Sequence, residues 1–174
     1  MKNKSSIKIY NVIFPIWLLW LFPLTWIIIL PGNFIIDSLI LLLTLKVLKI
    51  NDKKNIYKKT ILKVWLFGFL SDFIGTLIML IPVIVENSLP VNFRDWWYSN
   101  LTAPVSYNPF DSIYSVIWVI VCIIITSCFI YWFNNKVSFK KLDIDENSKK
   151  KLALSLAIFT APYLFLLPTM WFVQ

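Results

Sequence analysis

Asp72 is the residue best placed to do chemistry in this sequence, because it interrupts a long apolar run. It stands about 11 residues, or roughly 16 Å of helix, from the lysine-bearing end of that run, close to the middle of a bilayer. An aspartate at that depth costs on the order of 2.5–3.5 kcal/mol to insert, so it should face protein or water. The sequence therefore predicts a proton- or cation-carrying carboxylate, or the polar anchor of a substrate cavity.

Small and polar residues accompany Asp72 at three- and four-residue spacing, which places them on one face of a helix. They are Gly68, Ser71, Gly75, Thr76 and Met79. We expect Ser71 and Thr76 to join Asp72 in a substrate or ion site, and Gly68 and Gly75 to let another helix approach closely. The same stripe is also typical of a plain helix-packing seam or of a contact with another subunit, and both alternatives stay open.

Asp37 and Arg94 are the other candidate site residues. Pro31-Gly32-Asn33 predicts a tight turn, so Asp37 is expected near the outer end of the span that follows, where the helix dipole favours a carboxylate. Arg94 is the only arginine and is expected at the same level, where a bridge to Asp37 would close the outer loop over the bundle. The predicted depths of Asp37 and Asp72 differ by about 10 Å, which argues against a carboxylate pair that shares a proton.

The residues that other kinds of catalytic site require are missing from the sequence. The chain has no histidine and only three glycines, so it offers no Ser–His pair, zinc motif or phosphate-binding loop. No catalytic residue, cofactor or metal site is predicted, and an enzyme is the less favoured class. Cys122 and Cys128 lie about 9 Å apart along one predicted helix, too far to bridge to each other, and are expected to be buried thiols. The aromatic segment 92–98 is typical of an interfacial belt or of a ligand platform around Arg94.

The composition indicates the elements that must position these residues. Hydrophobic residues make up 59% of the 174 and charged residues only 15%, which favours an all-α, polytopic integral membrane protein formed as a single helical membrane domain, residues 1–174. Five transmembrane helices are predicted near residues 12–30, 34–48, 61–85, 112–133 and 152–172, with an outer aromatic loop at 86–111. The residues that add polarity to the fifth predicted span and could face Asp72 are Thr160, Pro162, Tyr163, Pro168 and Thr169.

The lysines predict the orientation of the chain. All sixteen fall in the N-terminal tail, in residues 46–63 or in residues 136–151, which are alternate connections of the five-span arrangement. Because basic connections stay in the cytoplasm, the N-terminus is predicted to be cytoplasmic and the C-terminus outside, in a multi-pass protein of the cell membrane. The net charge of +8 then reflects this rule and anionic lipid headgroups, and no nucleic-acid partner is expected. The excess of Lys, Ile and Asn is typical of an AT-rich, bacterial genome.

Three hypotheses for function follow. The leading one is a small membrane transport or channel-type protein, or a subunit of one, with a polar cavity around Asp72. The alternative is a non-catalytic accessory or assembly protein that docks through the small-residue face of the third span. The third is an enzyme or binder of a lipid-linked substrate at the outer leaflet. The expected partners are the lipid bilayer and either a second copy or another membrane protein, because five helices enclose only a narrow cavity.

Overall fold

The computed structural model describes residues 23–169, and this part of the chain is helical with no strand. Three of its helical segments are long and apolar enough to cross a membrane: Pro23–Val47, Lys53–Glu86 and Ile113–Ser138. The α-helices are α1 (Trp26–Val47), α2 (Lys53–Met79), α3 (Ile81–Glu86), α4 (Val91–Trp97), α5 (Ala103–Tyr107), α6 (Ile113–Phe133) and α7 (Glu146–Phe159).

α1 is the helix that differs most from what the sequence predicts. The tight turn predicted at residues 31–33 is wrong, because Pro31, Gly32 and Asn33 all lie inside one continuous helix of 22 residues. A proline removes one helical hydrogen bond, whereas a full break would leave a whole turn of polar groups unsatisfied in an apolar setting. The indole of Trp65 on α2 also supports this region, since its Nε1 donates to the Leu30 carbonyl oxygen at 2.8 Å. Residues 12–22 of the first predicted span lie outside the described residues.

The next two predicted spans agree with the structure at some boundaries and not at others. α2 begins at Lys53, eight residues before the predicted start at 61, and with α3 extends to Glu86. Several lysines of the basic segment therefore lie on helix rather than in a loop. α6 matches the predicted span 112–133 to within one residue and continues through a π-helical turn, Asn134–Ser138.

The predicted outer loop, residues 86–111, is folded into short helices that pack on the bundle. Pro82, at the start of α3, anchors these helices, because its carbonyl oxygen accepts hydrogen bonds from Trp97 Nε1 at 2.9 Å and Thr102 Oγ1 at 3.2 Å. The Trp96 ring meets the Tyr114 ring of α6 edge to face, with centroids 5.1 Å apart. α4 and α5 thus form a cap over this end of α2 and α6.

α7 is much shorter than the predicted span 152–172. It begins at Glu146, where the Asp145 side chain caps it by accepting from the Ser148 amide at 2.8 Å. It ends at Phe159 after 14 residues, roughly 21 Å, which is less than the hydrocarbon thickness of a bilayer. The chain then continues through a short 3-10 turn, Tyr163–Leu166, to Thr169, whose hydroxyl donates to the Ser106 carbonyl oxygen of the cap at 3.1 Å.

The four longest helices pack in the cyclic order α1, α2, α6, α7, and α7 returns to α1. Two hydrophobic cores fill the bundle. One lies toward the C-terminal ends of α1 and α6 and contains Leu45, Ile130 and Leu152. The other lies under the cap formed by α4 and α5 and contains Met79, Val119 and Phe165. All described lysines lie on the side of the first core, at or near the helix ends that meet there.

Candidate functional site

A cavity of about 310 Å³ lies between α1, α2 and the break that ends α7. Both predicted membrane-embedded aspartates line it. The complete lining is Asn33, Ile36, Asp37, Gly68, Asp72, Phe159, Thr160, Ala161, Pro162, Tyr163, Leu164 and Leu167. We call this space the carboxylate cavity. Its wall combines five polar side chains with the end of a helix, in a setting that is otherwise mostly apolar.

Asp37 reaches the cavity from the middle of α1. It stands eleven residues after Trp26, so the expectation that it lies in the first turns of a helix is wrong. The residue is only 4% exposed. Its carboxylate packs against the bare backbone of Gly68, where a β-carbon would stand 3.2 Å from Asp37 Oδ2. Thr160, at the end of α7, lines the same cavity, and its hydroxyl donates to the Leu156 carbonyl oxygen at 2.8 Å.

Asp72 faces the same cavity from α2 and is 5% exposed. The Asn33 amide nitrogen lies 3.4 Å from Asp72 Oδ2 and donates to it. Asn33 was assigned to a turn by the sequence pattern, so its part in the site was missed. Once α1 is continuous, Asn33 and Asp37 are four residues apart and share a helix face, which is the signal that would have found it.

The two carboxylates are offset by about one helical turn. α1 and α2 run antiparallel, so Asp37 lies opposite Gly68 while Asn33 lies beside Asp72. Four residues separate the members of each pair along their helix, which corresponds to about 6 Å. The predicted depth difference of about 10 Å was too large because it rested on the false turn at 31–33. No hydrogen bond joins the two carboxyl groups among the described residues, although they share one cavity.

The end of α7 supplies the third wall. Pro162 has no amide proton, so it cannot donate to the Ile158 carbonyl one turn earlier. The Tyr163 hydroxyl donates to that oxygen instead, at 2.6 Å. The last carbonyls of a helix lack intrahelical donors and carry the negative end of the helix dipole, which favours cations. Thr160 and Pro162, named from the sequence only as polarity in the fifth span, therefore belong to the cavity.

Ser71, Gly75 and Thr76 do not line the cavity. The two hydroxyls donate within α2, Ser71 to the Phe67 carbonyl at 2.7 Å and Thr76 to the Asp72 carbonyl at 2.9 Å. Gly75 faces α6, where an added β-carbon would overlap the Thr126 hydroxyl. The stripe predicted from the sequence is thus divided. Gly68 and Asp72 border the cavity, and Gly75 permits close packing of α2 on α6.

Arg94 does not approach Asp37. Its guanidinium donates to the backbone carbonyls of Asn87 and Leu89 at 3.3 and 3.2 Å, so it holds α4 to the loop before it. The bridge between Asp37 and Arg94 is absent from the described residues, where the one ion pair joins Lys149 to Glu146. The pairing failed because Asp37 lies deep in the bundle rather than at its outer end.

A larger apolar groove of about 1040 Å³ lies between α6 and α7. Cys128 lines it and is exposed, so the expectation of two buried thiols is correct only for Cys122. The groove has the apolar lining expected of a lipid-facing helix surface and offers little for specific recognition. The carboxylate cavity is the better candidate site.

Comparisons with known proteins identify no relative of this chain. No family model matches the chain, and neither the curated proteins nor the solved structures contain a match.

Proposed function

We propose that this chain is a small membrane transport protein, or a subunit of one, whose substrate or coupling ion passes through the carboxylate cavity. The observation that carries the proposal is the position of Asp37 and Asp72. They come from different helices, are 4% and 5% exposed, and face one space of about 310 Å³. Charged groups at this depth are expensive, and in membrane proteins they mark ion or substrate pathways.

The break in α7 supports the same proposal. Transporter sites are often formed where a membrane helix is interrupted, because the unwound backbone exposes polar groups that a continuous helix would satisfy internally. Here the interruption at Thr160–Pro162 stands beside both aspartates. Ala161 and Pro162 are buried and the segment borders a cavity, which is the arrangement in which irregular backbone is tolerated at membrane depth.

The proposed topology is multi-pass in a bacterial cell membrane. The lysine-bearing ends of the helices face the cytoplasm under the positive-inside rule, and the cap formed by α4 and α5 faces outward. Thr169 contacts that cap through Ser106, which agrees with a C-terminus on the outer side. Three of the described helical segments are long and apolar enough to cross a membrane, so the location of the N-terminus and the count of five spans stay predictions.

Reconstituted vesicles test the proposal. Purified protein in proteoliposomes loaded with a pH-sensitive dye, under imposed proton, sodium or potassium gradients, should dissipate at least one gradient faster than protein-free vesicles. Asp72→Asn keeps the shape of the side chain and should abolish that flux, while Asp143→Asn, a change at an exposed residue, should not. Flux through Asp72→Asn equal to wild type, or no flux through wild type, would contradict the proposal.

The accessory-protein alternative is less well supported by the packing. A docking face built on small residues must be open, yet Gly75 is already covered by Thr126 and Phe165 of the same chain. Gly68 is likewise covered by Asp37. If docking were nevertheless the function, Gly75→Leu would dissociate a membrane complex and Asp72→Asn would not.

A further inference from the structure

The size and lining of the carboxylate cavity favour an organic ligand over a bare metal ion. Its volume of about 310 Å³ lies within the range of small-molecule pockets, roughly 300–1,000 Å³. Hard metal cations are held by shells of oxygen ligands. Most of the described residues that line this cavity, such as Ile36, Leu164 and Leu167, instead present apolar side chains. The ligand is therefore expected to have apolar surface of its own.

The charge at the cavity favours a cation. No lysine or arginine is among the described residues that line it. Asp37 is buried and makes no ion pair within residues 23–169, where the single pair joins Lys149 to Glu146. The C-terminal end of α7 lies beside the cavity and carries the negative end of that helix dipole. A cation next to Asp37 would therefore be attracted by both groups, whatever contacts Asp72 makes.

Two aromatic side chains at the exposed side of the cavity favour an ammonium group in particular. Phe159 and Tyr163 line the cavity, yet these residues are 63% and 52% exposed. Neither ring packs against another ring in the part of the chain that the structure describes. Quaternary ammonium groups bind to the faces of such rings through cation–π attraction. A buried carboxylate with open rings nearby is thus suited to an organic ammonium ion.

Phe159 also lines a second pocket, which lies between α1 and α7 and has a volume of about 310 Å³. The other residues that line this α1–α7 pocket are Ile40, Leu43, Thr44, Val47 and Ser155. The hydroxyls of Thr44 and Ser155 are hydrogen-bonded to each other at 2.6 Å, so the pocket offers mainly apolar surface. Positions 37, 40 and 44 are three or four residues apart on α1, so the cavity and the pocket follow one helix face.

We propose that the carboxylate cavity binds an organic ammonium ion that carries an apolar group. The ammonium lies beside Asp37 and against the rings of Phe159 and Tyr163, and the apolar group extends past Phe159 into the α1–α7 pocket. Binding makes and breaks no covalent bond. That this ion is the transported substrate rests on the proposed function, whereas its binding does not.

Isothermal titration calorimetry of the full chain in detergent tests the proposal, with benzyltrimethylammonium as the probe. The probe should bind wild type about tenfold or more tightly than tetramethylammonium, which has the same charge and no ring, because the ring adds buried apolar area. Benzenesulfonate, which has a ring and the opposite charge, should not compete with the probe. Sodium at the concentration of the probe should not displace it either.

Two pairs of variants locate the bound ion. Asp37→Asn should weaken binding of the probe by about tenfold or more because it removes the negative charge, whereas Asp143→Asn, at an exposed residue, should not. Phe159→Leu keeps an apolar side chain but removes the ring face, and should weaken binding by about threefold or more. Phe110→Leu is its control, since Phe110 is also exposed, at 61%, and does not line the cavity. Phe159→Leu changes an exposed residue, so it keeps the test decisive if Asp37→Asn folds poorly.

Four outcomes would overturn the inference. They are no binding of the probe to wild type, equal binding of tetramethylammonium, displacement of the probe by sodium, and binding that is unchanged in both Asp37→Asn and Phe159→Leu. The third would mean that the cavity is a site for an inorganic cation. The vesicle assay fails independently. Binding of the probe by a protein without flux would remove the transport proposal alone, and flux of an inorganic ion without binding of the probe would remove this inference alone.

Discussion

Asp37 Oδ2 stands 3.2 Å from the point that a β-carbon on Gly68 would occupy, so glycine is what allows the carboxylate to lie against α2. We therefore expect Gly68→Val to displace Asp37 and to cost about 1–3 kcal/mol of stability, as overpacking does. Thermal unfolding in detergent measures the cost, and the vesicle assay should show loss of flux.

Gly32→Ala is the matched control for Gly68→Val. Gly32 is also inside a helix, and within residues 23–169 no atom outside its own stretch of that helix lies within 4 Å of an added β-carbon. Alanine should raise stability there by about 0.5–1 kcal/mol because glycine is a poor helix former. Equal effects of the two substitutions would contradict the described contact between α1 and α2.

Gly75 and Thr126 are predicted to be coupled. Gly75→Ala should lower stability by about 1–3 kcal/mol, because the new methyl group overlaps the Thr126 hydroxyl. Thr126→Ala removes that hydroxyl, whose own bond is only to the Cys122 carbonyl within α6. The double variant should therefore recover most of the loss, and a double-mutant cycle measures the coupling. Additive effects would mean that α2 and α6 do not meet at this point.

Tyr163 is predicted to hold the broken end of α7 together. Tyr163→Phe removes the 2.6 Å hydrogen bond to the Ile158 carbonyl oxygen. Because Pro162 has no amide proton to donate to that oxygen, the substitution should lower the free energy of unfolding by about 0.5–1.5 kcal/mol. Tyr107→Phe is the control, since Tyr107 lies at the end of α5 and its hydroxyl takes part in no described hydrogen bond. Equal unfolding midpoints for the two variants would show that the hydroxyl contributes nothing.

The first turn of α7 is expected to lose stability in acid. The hydrogen bond from Ser148 lowers the pKa of Asp145 below its usual value. A carboxyl group with a depressed pKa stabilises the fold above its unfolded pKa of about 3.9, and this contribution is lost as pH falls through the lower folded value. Amide exchange at Ser148 should therefore accelerate in strong acid. Asp145→Asn keeps a capping oxygen and should remove this pH dependence, whereas Asp143→Asn should retain it.

The sequence was sufficient to predict an all-helical protein with apolar helices and to single out Asp72. Long apolar runs and segregated lysines depend on the membrane environment alone, so they could be interpreted without tertiary contacts. The prediction of a turn at Pro31-Gly32-Asn33 was wrong because the free-energy cost of breaking a helix in an apolar setting outweighed the local turn propensity. That one error misplaced Asp37, suggested the Arg94 bridge and concealed Asn33.

The end of α7 could be predicted only in part. Pro162 indicates a kink, yet a kinked helix and a terminated one share the same local sequence. What distinguishes them is the contact of residues 160–169 with the cavity and with Ser106, which is a tertiary feature. Thr160 could be named as polar but could not be placed in one cavity with Asp37 until both helices were placed.

A disulfide between positions 37 and 68 tests the central claim most directly. In a Cys122→Ala, Cys128→Ala background, Asp37→Cys with Gly68→Cys should oxidise readily, because the built β-carbon at 68 lies 4.0 Å from Asp37 Cγ. Loss of both free thiols, counted by mass spectrometry after maleimide labelling, reports the bond. Asp37→Cys with Gly75→Cys, about 10 Å farther along α2, should keep both thiols free. Free thiols in the 37–68 pair would contradict the account, because Asp37 would then lie outside the cavity that it is proposed to share with Asp72.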